Sequence, residues 1–151
     1  MERIWIYQAD RLLTADEETT LLKRLGEFTA EWNAHGHQLS ASAEIRYHLF
    51  IILAIDQTVT MPSGCSIDKS VRLLKELEQE LNISLFDRMQ IAYRERDHIN
   101  IVPRSTFEKL IEKGEVTKDT IVFNNLVADR EAFNRSWETP FQNSWHAQVF
   151  A

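Results

Sequence analysis

The feature that most constrains the fold is the run Leu49-Phe-Ile-Ile-Leu-Ala-Ile55, seven consecutive apolar residues without a charge among them. A strand with one face in water alternates apolar and polar side chains, so an unbroken run predicts a central strand covered on both faces. Seven residues are also far too few to cross a bilayer, which takes roughly 20 in a helix. Such a strand needs layers above and below it, and 151 residues are enough for one domain with its own core. Residues 1–151 are therefore read as a single domain.

The segments around the run alternate in type. Ile4-Trp-Ile-Tyr7 is rich in β-branched and aromatic residues and predicts a first strand. Thr14, with Glu17 three residues on, has the form of a capping box. Leu21, Leu25, Phe28 and Trp32 then mark one face of a helix running to about Asn33. Gly36 stands where a helix C-terminal cap is expected, with His35 and His37 beside the last carbonyls. The apolar run closes a strand spanning Glu44 to Ile55, and Asp56 to Gly64 reads as a loop. A second helix is predicted from about Ser66 to Leu81, burying Ile67, Val71, Leu74, Leu77 and Leu81. Gln90-Ile-Ala-Tyr93 and His98-Ile-Asn-Ile-Val102 flank a polar stretch and predict a β-hairpin. Ser105 and Glu108 suggest another capping box, opening a short helix that stops at Gly114, and Thr120-Ile-Val-Phe123 is a last strand. The order β-α-β-α-β-β-α-β, followed by an irregular tail, predicts an α+β fold on a mixed sheet with an antiparallel hairpin.

Charge narrows the function classes. Seventeen basic residues against 23 acidic ones give a net charge of −6, which disfavours nucleic acid and anionic membrane surfaces as partners. A single cysteine cannot form an internal disulfide, and Met1-Glu-Arg-Ile-Trp lacks the form of a signal peptide, so a cytoplasmic protein is expected.

Ser63-Gly-Cys-Ser-Ile-Asp-Lys-Ser70 invites comparison with a phosphate-binding loop, because it precedes a helix and ends in Lys-Ser. Counting back from Lys69, the two required glycines are replaced by Ser63 and Asp68. Other residues resist the backbone conformations that bring N–H groups onto phosphate, and a carboxylate at Asp68 repels the anion. The same segment, together with Trp32-Asn-Ala-His-Gly36, Leu85-Phe-Asp-Arg-Met89, Ile121-Val-Phe-Asn-Asn-Leu-Val127 and Ser144-Trp-His146, resembles a family of small uncharacterised bacterial proteins. Its members often carry the label ABC transporter ATPase, and the resemblance spans essentially the whole chain. What it implies is ATP binding, with no catalytic residues to carry over.

Cys65 is the one reactive-looking residue. A helix start carries partial positive charge that favours a thiolate, Lys69 lies one turn along, and the preceding Gly64 leaves room for an approaching molecule. His35 and His146 are candidate bases for such a nucleophile. Ser63, Gly64, Ser66 and Lys69, with Trp145, form the candidate ligand-binding set. The alternative is a cysteine that packs as a small apolar side chain. His35-Gly-His37 lacks the ligand spacing of a zinc site, so neither metal nor cofactor is expected. Phe133, Trp137, Phe141 and Trp145 recur every four residues, with Phe150 beyond them and Pro140 breaking any single helix. These aromatics either close the core or present a surface for a partner, a homodimer included. The leading reading is a non-catalytic module that binds a small ligand or a protein, and the rival is a thiol-dependent enzyme or redox-responsive protein.

Overall fold

The computed structural model describes residues 1–150. The chain is α+β and divides into two compact units, one formed by Met1–Phe86 with Ala128–Arg130, the other by Asp87–Val127 with the residues from Glu131 onward.

The first unit contains strand β1 (Glu2–Gln8), helix α1 (Ala15–Glu31), the short strands β2 (Asn33–Ala34) and β3 (His37–Gln38), strands β4 (Ala41–Arg46) and β5 (Phe50–Asp56), and helix α2 (Gly64–Leu81). Its main sheet has the order β1-β5-β4. The apolar run occupies the centre, and none of Leu49–Ile55 is more than 2% exposed, as an uninterrupted run requires. Trp32, Ala34, Leu39 and Ile55 form a buried cluster against which Trp5, Phe28 and Ala41 pack. Arg130 ties its short segment to this unit through Glu2 at 2.9 Å and Glu44 at 3.4 Å, and the Ile4 N–H donates to the Ala128 carbonyl.

Two reversals depart from the sequence reading. Glu44 to Ile55 is not one strand: Tyr47 and His48 adopt φ of 57° and 56°, and the Leu49 N–H donates to the Arg46 carbonyl at 3.1 Å. This turn makes β5 antiparallel to β4 and also to β1, so the predicted mixed sheet is replaced by antiparallel pairing. Tight hairpin turns need successive left-handed residues and usually advertise them with Asn or Gly, and Tyr47-His48 offers neither. The second reversal concerns Gly36, which caps no helix. Helix α1 ends at Glu31, Trp32 is extended, and His35 and Gly36 (φ 52° and 79°) form the turn between β2 and β3. His35 and His37 are therefore exposed on a hairpin.

Local capping sets the helix ends. Thr14 and Glu17 form the reciprocal bonds of a capping box. Arg11 grips Glu17 through two bonds of 2.8 and 2.7 Å and donates to the Leu81 carbonyl at the end of α2. At the opposite ends, the Trp32 Nε1 donates to the Ser66 carbonyl at 2.8 Å. Helices α1 and α2 thus run antiparallel, tied at both ends.

The second unit carries β6 (Gln90–Glu95), β7 (His98–Pro103), α3 (Arg104–Glu112), β8 (Ile121–Phe123), α4 (Arg130–Ser136), β9 (Glu138–Pro140), a 3-10 turn at Phe141–Asn143 and α5 (Trp145–Phe150). Its sheet order is β7-β6-β8-β9, again antiparallel throughout. The β6–β7 hairpin is the one the sequence predicts. The Ser105–Glu108 capping box is absent, because α3 starts two residues earlier, with Pro103 in the cap position and no side-chain cap. The tail is not irregular. Phe133 and Trp137 stack at 4.6 Å, β9 adds an edge strand where Pro140 is tolerated, and Phe141, Trp145 and Phe150 pack on the core of Ile91, Tyr93, Phe107, Val116 and Val122. The core role foreseen for the tail's aromatics is the one they play within this unit.

Candidate functional site

The start of α2 is fixed by its own serines. The Ser63 hydroxyl accepts from the Ser66 N–H at 3.1 Å, and the Ser66 hydroxyl accepts from the Ser63 N–H at 2.7 Å. Reciprocal capping moves the helix start to Gly64, two residues before the predicted one. It also commits the Ser66 N–H, one of the few donors a helix start could offer an anion. Ser66 and Ser70 are buried along with Leu74 and Leu77, whereas Ile67, Val71 and Leu81 are only half-buried. The inward face is thus rotated from the predicted one. Small serines at the contact let α2 sit close to Trp32, whose indole reaches the Ser66 carbonyl. Tyr7 lies on this side too, near Ser70, and burial pushes its pKa up.

What α2 turns outward is Cys65 and Lys69, both exposed, preceded by Val59 (64% exposed) and Met61 (62%) in the connection from β5. A side chain added at Gly64 would meet nothing within 4 Å, so the approach to Cys65 is open there. The sulfur is not sealed among aliphatic side chains. Sequence reasoning singled out Ser63, Gly64, Cys65, Ser66 and Lys69, and the structure joins all five in the first turns of one helix. It missed Val59 and Met61, whose only signal is two apolar residues inside a loop-forming stretch.

The candidate bases are distributed differently. His35 belongs to the same unit as Cys65, on the β2–β3 turn three residues after Trp32. Among the described residues no hydrogen bond joins His35 to Cys65. His146 and Trp145 belong to the second unit and open α5. His146 is 2% exposed, stacks on Trp145 with ring centroids 3.8 Å apart, and packs against Phe107. Burial pushes its pKa down to about 4, so the imidazole is neutral near pH 7. Its Nδ1 and the Trp145 Nε1 are both buried without a hydrogen-bond partner in the protein. Among the described residues no cluster of three or more His, Cys, Asp or Glu is placed to hold a metal ion. Nor is any helix among them long and apolar enough to cross a membrane.

Compared with protein-family models, curated proteins and solved structures, the chain matches none.

Proposed function

We propose that this chain is a module that binds a partner protein in the cytoplasm through residues 59–69. The observation that carries this reading is the exposure of Val59 and Met61 directly before a firmly capped helix start. Side chains of this size are usually buried, and a methionine adapts its shape to whatever covers it. Lys69 adds a cation one turn beyond Cys65. The frame behind them is rigid: the Ser63–Ser66 capping box and the Trp32 bond hold α2 in place, so a partner would meet a preformed surface. Cys65, the sole thiol, provides the test. A photo-crosslinker attached there should give a discrete adduct in extracts of cells that make the protein. Val59→Asp with Met61→Glu should abolish that adduct, while Lys23→Glu on α1 should leave it. An adduct unaffected by the double substitution would place binding elsewhere.

A second reading rests on the exposure of Cys65 in the first turn of an 18-residue helix. A thiol used for chemistry should react with iodoacetamide at pH 7 at least about tenfold faster than free cysteine, and His35→Ala should slow it if that imidazole serves as base. A rate no faster than that of free cysteine rejects this reading.

A further inference from the structure

We propose that α5 is a strap that opens on its own from the core of its unit, because docking it shuts two ring nitrogens away from any hydrogen-bond partner in the protein. The helix has six residues, too few to hold itself together without packing. It is joined to the rest through the 3-10 turn and an extended Ser144 (φ −102°, ψ 164°). Two anchors hold it down: Trp145 on the core, and Phe150, which meets the Phe107 ring edge-on at 5.2 Å and lies under the Arg104 guanidinium at 5.0 Å. Opposing them are the His146 Nδ1 and the Trp145 Nε1, each stripped of water with no protein atom in return. A buried polar atom without a partner costs the docked state most of its desolvation penalty. Opening returns both nitrogens to water and bares the Phe107 ring, which is fully buried when α5 is down. Local opening of this kind draws on the least stable part of a unit and leaves its central strands intact.

Hydrogen exchange on the full chain tests it, with two variants that keep a flat ring but remove the nitrogens, His146→Phe and Trp145→Phe. In the wild-type chain the amides of Gln148 to Phe150 should exchange about 100-fold or more faster than those of β6. Each variant should slow exchange in α5 by about tenfold while leaving β6 unchanged. A common rate for α5 and β6 overturns the proposal, as does faster α5 exchange in the variants, which would mean the nitrogens are held by something that stabilises docking. A variant that fails to fold would show itself in lost β6 protection, and the other variant then decides.

Discussion

Trp32 and Trp145 each bury an indole nitrogen, but Trp32 donates to the Ser66 carbonyl at 2.8 Å while Trp145 has no acceptor in the protein. Trp137 sides with the first, its Nε1 meeting the Asn125 side chain at 2.9 Å. The same contrast separates the ionisable groups of these regions. Near the start of α1, Glu17 is held by the Arg11 guanidinium and by the Thr14 backbone, which bring its pKa down to about 2. In α5, His146 is shut away unpaired and its pKa falls to about 4 through burial alone. Both shifts are downward, yet one records a favourable partner for the charged form and the other records the lack of one. Where a helix end supplies matched donors and acceptors, burial adds stability; where it does not, aromatic packing has to outweigh an electrostatic cost.

Acid should break this contrast most strongly. Folded His146 binds its proton only near pH 4, whereas an unfolded histidine binds it near 6.5, so acidification favours the unfolded chain. Stability should be steady above pH 6.5 and fall by about 3 kcal/mol between there and pH 4, read from urea midpoints, with His146→Phe flattening that window. Glu17 acts lower down: its pairing contributes fully above about pH 4.5 and is lost as pH falls towards 2, so the two windows can be separated. Next in size, Trp32→Phe removes the indole bond to the Ser66 carbonyl and should cost about 2 kcal/mol in urea denaturation, while Trp145→Phe removes an orphaned donor and should raise stability by about 1 kcal/mol. Equal losses at the two positions would erase the distinction between the regions. Smallest, Ser63→Ala and Thr14→Ala should each cost about 1 kcal/mol, and a Ser63→Ala effect near zero would show that the α2 start is held by Trp32 rather than by its cap.

Much of the frame was legible before any coordinates. The unbroken run from Leu49 to Ile55 required a strand covered on both sides, and Thr14 with Glu17 fixed the start of α1, because both signals act through neighbours in sequence. The hairpin at Gln90 to Val102 was legible for the same reason. The Tyr47-His48 reversal was not, since neither residue type favours a left-handed backbone and the turn is held by the pairing of the strands it joins. Gly36 misled because one flexible glycine serves a helix end or a hairpin turn equally well. At the candidate site, the helix start at Cys65 was readable from Ser63-Gly-Cys, but the exposure of Cys65, Val59 and Met61 was not. Whether an apolar loop residue is covered depends on a surface that lies elsewhere in the chain.

The sequence by itself determined the elements whose signals are local: the central strand, the capped start of α1 and the hairpin, all set by interactions a few residues long. Only tertiary structure decided that Ser66 and Ser70 face inward, that the aromatic tail forms ordered elements, and that His146 is buried without a partner. Burial is a property of what another segment lays against a side chain, and no stretch of sequence carries that information alone.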